Sequence, residues 1–290
     1  MPTLKLQWWM GNQMFGYALA YSLSQKYGEP IILDPYFLEN RFIWANWTFR
    51  YFELEVFGIK KDYTLPSVVT SRWLHPEAIA LLKRIAIWKK YIKEQWGKLI
   101  EDFPQEAYLD GWFQSYRYFA EYSEDIQRIF TVQTIVSDQN REMLDTIASA
   151  KKNAVSIHVR RGDYVTLDTA NKWHGVCSIG YYETAIQSMI EKIWNPVFFI
   201  FSDDITWCKE NIHFPDGIQF HFVDYNWKAW HEDLRLMYSC SHHILANSSF
   251  SWWWAYLGWN PDKMIIAPKK WLHTDTFNTQ NLIPPSWVLL

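Results

Sequence analysis

Short apolar runs alternate with amphipathic segments through the second half of the chain. The apolar runs predict strands at 154–159, 197–201, 219–223, 244–246 and 264–267. The segments between them predict helices at 137–151, 180–193, after 204, at 232–240 and from 250. Because helices separate successive strands, the strands are expected to run parallel, with helices covering both faces of the sheet.

The first half of the chain begins in the same way and then becomes irregular. A predicted strand at 4–7 leads through Gly11 into a predicted helix that ends at Gly28. A strand, a glycine turn and a helix in this order commonly cradle a phosphate. The other elements predicted in this half are a strand at 31–33 and helices around 76–97 and 115–129.

These patterns predict an α/β fold with two Rossmann-like lobes. We place the N-terminal lobe at 1–136 and the C-terminal lobe at 137–290, and we expect the functional site in the cleft between them. A chain of 290 residues with 49% hydrophobic content is long enough to bury a substantial core, which excludes disorder as its main state.

Charge and cysteine content narrow the partners and the compartment. The formal net charge of −3 gives no reason to expect nucleic acid as a partner. Cys177, Cys208 and Cys240 form no CxxC pair, so we expect neither disulfides nor a zinc knuckle, and a cytoplasmic location. No apolar run reaches the length of a transmembrane helix, about 18 residues. Peripheral association with the inner face of the membrane stays open.

The densest polar cluster follows the predicted strand at 154–159. Arg160, Arg161 and Asp163 surround Gly162 where that strand should stop. Ligands of open α/β sheets bind beyond the carboxyl ends of the strands, and arginine offers forked donors that match phosphate oxygens. The cluster therefore favours a phosphate-bearing substrate. A solvated Arg161–Asp163 ion pair in a turn is the structural alternative, and cell adhesion through this triplet is a weaker one.

Two further predicted strands also end in polar residues. Asp203 and Asp204 follow one strand and can cap a helix, read a purine or ribose edge, or hold a metal ion. The segment Asn247-Ser248-Ser249-Phe250-Ser251 follows another and opens a helix. Its hydroxyl and backbone donors suit a diphosphate, although simple helix capping explains the serines equally well.

Taken together, these segments resemble the α-1,2-fucosyltransferases of glycosyltransferase family 11. The resemblance spans nearly the whole chain, and four ordered motifs are far more specific than any one of them. The four motifs are Gly-Asn-Gln-Met-Phe-Gly-Tyr-Ala at 11–18, His-Val-Arg-Arg-Gly-Asp-Tyr at 158–164, Phe-Ser-Asp-Asp at 201–204 and the run at 232–253, and the last is followed by Ile-Ala-Pro-Lys-Lys-Trp at 266–271.

The resemblance implies a GT-B type fold and inverting transfer of fucose from GDP-fucose to the 2-hydroxyl of a galactose-terminated glycan, with no essential metal and no other cofactor. It implies that Arg160 clamps the β-phosphate and stabilises the charge on departing GDP. Arg161 is expected to orient the loop by ion pairing. Asp163 is the candidate general base, with locking of the loop as its alternative role. The residues expected to bind the donor are Gly11, Asn12, Gln13, His158, Arg160, Asp203, Asp204, Asn247, Ser248, Ser249, Phe250 and Ser251.

The chain departs from the family pattern at glycine positions. Trp8 and Trp9 stand where the family has a run of glycines, and Trp254 replaces the glycine that follows Ser-Trp-Trp. These rings either obstruct the donor or line an altered cleft, so a GDP- or glycan-binding protein with impaired turnover is the alternative to an active enzyme. Sugars other than fucose also stay open.

Acceptor recognition has no clear signal in the sequence. Aromatic side chains of the N-terminal lobe can stack on sugar rings, but they fill cores more often. The residues concerned are Trp44, Trp47, Phe49 and Trp112.

Overall fold

A computed structural model of the chain shows two compact units, Met1–Phe130 and Thr131–Leu290. The structure describes residues 1–39, 50–60, 91–95, 98–166, 172, 174–226, 229–272 and 279–290. Within these residues, no helix combines the length and the apolar character needed to cross a membrane.

The first unit is built on a four-stranded parallel sheet with the strand order β2-β1-β4-β3. Its strands are β1 (Thr3–Lys5), β2 (Ile32–Asp34), β3 (Tyr91–Lys93) and β4 (Tyr108–Asp110). Its helices are α1 (Met10–Tyr27), α2 (Tyr36–Glu39) and α3 (Ser123–Ile129), and single 3-10 turns lie at Leu54–Phe57, Tyr116–Tyr118 and Ala120–Tyr122.

The second unit is built on a six-stranded parallel sheet with the strand order β10-β9-β8-β5-β6-β7. Its strands are β5 (Ala154–Val159), β6 (Val197–Ser202), β7 (Gln219–Val223), β8 (His242–Ile244), β9 (Ile265–Ala267) and β10 (Val288–Leu289). Its helices are α4 (Asp138–Ala150), α5 (Gly162–Thr166), α6 (Ile179–Lys192), α7 (Ile205–Asn211), α8 (Trp230–Ser239) and α9 (Ser249–Leu257), and 3-10 turns lie at Lys151–Asn153 and Thr279–Asn281.

Local sequence explains where several helices begin and end. Ser137, Ser178 and Ser248 are the N-cap residues of α4, α6 and α9, and each side chain accepts a hydrogen bond from a backbone N–H of the first turn. Helix α1 ends at Gly28, whose φ of 68° is the left-handed conformation that glycine adopts at low cost. Every residue of β5 is buried, as expected for a central parallel strand covered on both faces.

The predicted α/β class, with a Rossmann-like parallel sheet in each lobe, is confirmed. The strands β5, β6 and β7 lie where the apolar runs predicted them, whereas β8 begins and ends two residues earlier than predicted. The prediction of a helix around 76–97 is wrong for residues 91–93, which form β3, and its part at 76–90 lies outside the described residues. Strands β4 and β10 were not predicted, because two or three residues are too few to show a period.

The boundary between the units lies six residues before the one predicted at 136 and 137. The buried guanidinium of Arg235 in α8 explains the difference. Its Nη2 donates to the carbonyl oxygen of Thr134 at 2.5 Å and to Thr134 Oγ1 at 2.9 Å, while its Nη1 donates to Glu232 Oε2 at 3.0 Å. Glu232 Oε1 in turn accepts a hydrogen bond from Thr134 Oγ1. The segment before α4 therefore belongs to the second unit.

We expect Arg235→Met to lower the free energy of unfolding by about 3–5 kcal/mol, because the substitution leaves the buried Glu232 carboxylate without its cation. The double variant Arg235→Met, Glu232→Leu should recover most of this loss, since no buried charge then remains. Denaturant titration of the full chain measures both values. Equal stability of the two variants would contradict the account.

Candidate active site

The polar cluster of the second unit forms where adjacent parallel strands end. Val159 of β5 lies opposite Ser202 of β6, so Arg160 and Asp203 leave the sheet side by side. On the other side of β5 lies β8, which leads into the Asn247 segment. The structure thus brings together the three strand ends that the sequence singled out.

Arg160 is held between two carboxylates. Its Nη2 donates to Asp163 Oδ1 at 2.8 Å, and its Nη1 lies 2.8 Å from Asp203 Oδ2. Burial alone would lower the pKa of Arg160, but the carboxylates of Asp203 and Asp163 raise it above its ordinary value. The guanidinium is therefore charged and fixed in orientation before any ligand arrives.

Arg161 makes a different pair from the one considered in the sequence. Its Nε donates to Asp204 Oδ2 at 3.1 Å, and its guanidinium lies 4.0 Å from the centre of the Trp207 ring. The considered Arg161–Asp163 pair is therefore not formed, because β6 presents Asp204 to Arg161 while Asp163 turns back to Arg160.

Both aspartates after β6 are occupied inside this loop. Asp203 Oδ1 accepts from the backbone N–H of Arg161 at 2.8 Å, in addition to its ion pair with Arg160. Asp204 caps α7 by accepting from the backbone N–H of Trp207 at 3.2 Å. Helix capping, one alternative for this pair, is thus observed, and the role of these carboxylates at a guanine edge stays a prediction.

Gly162 permits the close contact between the two loops. A Cβ atom at this position would lie 2.5 Å from Asp203 Oδ2, which is far inside van der Waals contact. Any side chain here would push Asp203 away from Arg160. The glycine of the Arg-Gly-Asp triplet therefore serves packing between loops.

His158 points into the unit and meets Ser251, another residue predicted to bind the donor. Its Nδ1 lies 2.6 Å from Ser251 Oγ, and only 6% of the residue is exposed. Burial, followed by the charge of Arg160, lowers the pKa of His158 to about 3. The imidazole is therefore neutral at physiological pH and holds the first turn of α9 against β5. The predicted contact of His158 with the nucleotide stays a prediction.

Asn247 is also turned inward. Its Nδ2 donates to the carbonyl oxygens of His174 at 2.9 Å and of Trp271 at 3.2 Å, so this side chain joins two loops. Ser248 Oγ accepts from the backbone N–H of Phe250 at 3.3 Å as the N-cap of α9. Ser249 and Phe250 are partly exposed beside them. Asn247 therefore has a structural role that its residue type alone did not indicate.

Gly11, Asn12 and Gln13 lie in the first unit, in the first turn of α1. Gln13 is 1% exposed, and its Nε2 donates to the carbonyl oxygens of Trp8 and Tyr51, both at 2.8 Å. Asn12 Oδ1 accepts from Gln114 Nε2 at 2.7 Å. These amides are therefore engaged within their own unit, and their contact with the donor stays a prediction.

Two of the three tryptophans at family glycine positions lie in different surroundings. Trp8 adopts a φ of 68°, a left-handed conformation that costs a non-glycine residue about 1–2 kcal/mol. Its ring contacts Phe37 and Trp112, with centroids 5.7 and 6.1 Å away. Trp254 is fully buried, 4.9 Å from the ring of His243, so the idea that it lines an altered cleft is wrong. Of the candidate sugar-stacking residues, only Trp112 lies within the described part of the chain.

Tyr164 and Glu53 were not singled out by the sequence. The Tyr164 ring stacks on His174 at 4.6 Å and lies 5.4 Å from the Arg160 guanidinium. Glu53 is buried beside the start of α1, and its Oε2 has no hydrogen-bond partner among the described residues. Burial raises the pKa of Glu53 to about 8, although the Met10 backbone N–H and Arg50 lower it. The one sequence signal for a buried Glu53 was its position between two apolar residues, Phe52 and Leu54.

The described residues contain no group of side chains that could bind a metal ion. No three His, Cys, Asp or Glu side chains are grouped there as metal ligands. Metal independence stays a prediction.

Comparison with known proteins identifies relatives along almost the whole chain. Residues 85–290 match the family described as glycosyl transferase family 11. The α-1,2-colitosyltransferase of Escherichia coli is 33% identical over 286 residues, covering 96% of this chain and 95% of that protein. The O-antigen biosynthesis glycosyltransferase WbnK of Escherichia coli is 29% identical over 307 residues, covering 97% of each. A solved structure of NodZ α-1,6-fucosyltransferase soaked with GDP-fucose aligns with a TM-score of 0.47 and 15% identity, covering 91% of this chain and 94% of that one.

Glu53→Gln should change how stability depends on pH. In the wild type the folded-state pKa of about 8 exceeds the ordinary value of 4.5, so the folded state binds the extra proton between these values. Stability from this group is present below pH 4.5 and is lost as the pH rises through 8. We expect thermal unfolding at pH 9 to occur at a higher temperature in Glu53→Gln than in the wild type. Glu55→Gln, at an exposed position nearby, serves as the control. An unchanged difference between pH 5 and pH 9 in Glu53→Gln would contradict the assignment.

Proposed function

The chain belongs to glycosyl transferase family 11, and we propose that it transfers L-fucose from GDP-fucose to the 2-hydroxyl of a terminal galactose on a glycan. That it is a glycosyltransferase follows from the family. The finer proposal is supported by the names of its relatives, which include galactoside alpha-(1,2)-fucosyltransferase 2 of Sus scrofa, 27% identical over 270 residues, and by the 1,2-linkage in the name of the α-1,2-colitosyltransferase. The observation that carries it is the charged Arg160 guanidinium fixed beyond the ends of β5 and β6.

Donor binding would use an exchange of anions at Arg160. The diphosphate of the donor takes the place of the Asp163 carboxylate at Nη2, while Asp203 keeps Nη1 in position. A guanidinium fork binds phosphate oxygens as well as it binds carboxylates, so the exchange preserves its hydrogen bonds. Arg160 then lies beside the oxygen on which negative charge accumulates as GDP leaves.

The exchange frees the Asp163 carboxylate to act as the general base. Once released from Arg160, its carboxylate accepts the proton of the acceptor 2-hydroxyl. The bond between fucose C1 and the β-phosphate oxygen breaks, a bond from C1 to the acceptor oxygen forms on the opposite face, and the leaving electron pair stays on GDP. This sequence inverts the anomeric carbon. The positive charge that balances GDP comes from Arg160, so we propose that no divalent metal is required.

Five further predicted residues would act around Arg160 and Asp163. Ser249 and Phe250, partly exposed at the start of α9, offer backbone donors to the diphosphate. Ser248 and Ser251 shape that turn, and the neutral His158 fixes Ser251. The chain's own packing thus holds the phosphate-binding turn in place before the donor arrives.

Transfer kinetics with GDP-fucose and a galactoside test the proposal. Arg160→Ala should lower kcat/KM by about 10²–10³-fold, because a charge that stabilises the departing anion is removed. Arg160→Lys should retain part of the activity, since the charge remains and the fork is lost. Asp163→Asn should lower kcat without raising the KM for GDP-fucose, because the diphosphate then displaces only a neutral amide from Arg160. Lys209→Ala, which removes an exposed lysine paired with Asp224, is the control.

Three results would contradict particular parts of the proposal. Near-normal kcat/KM in Arg160→Ala would remove the phosphate assignment, and near-normal kcat in Asp163→Asn would remove the base. Preference for GDP-colitose over GDP-fucose would change the donor while keeping the mechanism. Loss of activity in EDTA that magnesium restores would exclude metal independence.

A further inference from the structure

The edge of the second sheet that faces away from the candidate active site carries two unusually exposed tryptophans. Trp194 is 88% exposed and Trp259 is 75% exposed. Each belongs to a Trp-Asn-Pro tripeptide that precedes a strand, β6 in one case and β9 in the other. Because all strands of this sheet are parallel, both indoles lie at the edge where strands begin.

Lysines occupy the same edge between the two tryptophans. Lys151 and Lys152 are exposed and lie just before β5, which stands between β6 and β8 in the sheet. Ala154 lies opposite Val197, so Lys151 and Trp194 stand at equivalent distances before their strands. We call Trp194, Lys151, Lys152 and Trp259 the Trp–Lys row.

Hydrogen bonds connect the Trp259 end of this row to Lys151. Asn260 Nδ2, next to Trp259, donates to the carbonyl oxygen of Ser241 at 3.2 Å. Ser241 Oγ donates to the carbonyl oxygen of Lys151 at 3.0 Å. The row therefore crosses from β9 to β6, three strand spacings or about 14 Å. These hydrogen bonds tie the Trp259 end of the row to Lys151 in its middle.

The row is apolar at its ends and cationic in its middle. Among the described residues, neither Lys151 nor Lys152 makes an ion pair. Lys192, the last residue of α6, adds a third exposed cation near Trp194, whereas Glu191 and Asp216 are exposed anions at that end of the row and Asp262 is an exposed anion near Trp259. The two lysines without ion pairs in the middle of the row, between the indoles, are the part that suits an anionic partner.

The backbone at Lys151 adds an independent observation. This residue has φ of 51° and ψ of −128°, a conformation that strongly favours glycine. A lysine here costs folding stability and gains nothing from packing, since its side chain is exposed. The charge of Lys151 is therefore the property that its position offers to a partner.

We propose that the Trp–Lys row docks the protein on the surface of an anionic lipid bilayer. Indole rings favour the depth of lipid headgroups, where the ring is buried and its N–H stays hydrated. Lysines close to the surface attract acidic headgroups. Docking keeps the candidate site of the second unit away from the bilayer, because the six residues of β5, about 20 Å, separate the two edges of the sheet. The proposal does not depend on the identity of the sugar donor.

Sedimentation of the full chain with lipid vesicles tests the proposal. Vesicles of three parts phosphatidylcholine to one part phosphatidylglycerol should carry down more protein than vesicles of phosphatidylcholine alone. Lys151→Gly and Lys152→Gln should each weaken binding to the anionic vesicles by about fivefold. Trp194→Ser and Trp259→Ser should weaken binding to both kinds of vesicle. Lys26→Gln, which removes an exposed lysine of the first unit, should leave binding unchanged.

Measuring thermal stability distinguishes a variant that has lost a docking contact from one that is misfolded. Lys151→Gly removes the strained backbone conformation and should raise the thermal unfolding midpoint by about 2–4 °C while it weakens vesicle binding. Absent binding by the wild type, equal binding to the two kinds of vesicle, or an equal loss in Lys26→Gln would overturn the proposal. A dimer in sedimentation velocity that Trp194→Ser dissociates would assign the row to a second copy of the chain and would also overturn it.

Discussion

The arrangement at the end of β5 depends on the ion pairs of Arg160 with Asp163 and Asp203. Because the guanidinium is largely buried, its charge is tolerated only while carboxylates neutralise it. The pair with Asp203 joins the loops after β5 and β6. Gly162 allows this approach, since a side chain there would occupy the position of Asp203 Oδ2. The same pairs keep a charged group oriented at the place where ligands of parallel sheets bind.

Uncharged side chains support the loop that carries Arg160. His158 and Ser251 bond to each other across β5 and α9, and the depressed pKa of His158 keeps a second cation away from Arg160. Asn247 holds the carbonyl oxygens of two loops. Residues that motif comparison groups as donor-binding thus divide into a partly exposed group, with Arg160, Ser249 and Phe250, and a buried group that positions it.

The sequence predicted the elements of the second unit well, because short runs of mostly apolar and β-branched residues such as 154–159 alternate with amphipathic segments long enough to form helices. It predicts short strands poorly, and β3 lies within the helix that the pattern predicts around 76–97. The direction in which each side chain points could not be predicted from the sequence. Arg160 and Arg161 are adjacent and chemically identical, so only the register of β5 and β6 determines which carboxylate each meets. Likewise, Trp254 reads as a cleft residue by motif position and is a core residue by packing.

The most direct test of the role of Arg160 is calorimetric binding of GDP and GMP to the wild type and to Arg160→Ala. If Arg160 holds the β-phosphate, the wild type should bind GDP more tightly than GMP, and Arg160→Ala should lose about 10–100-fold in GDP affinity with little change for GMP. The ratio of the two affinities would then approach one in the variant. An unchanged ratio in Arg160→Ala would contradict the account.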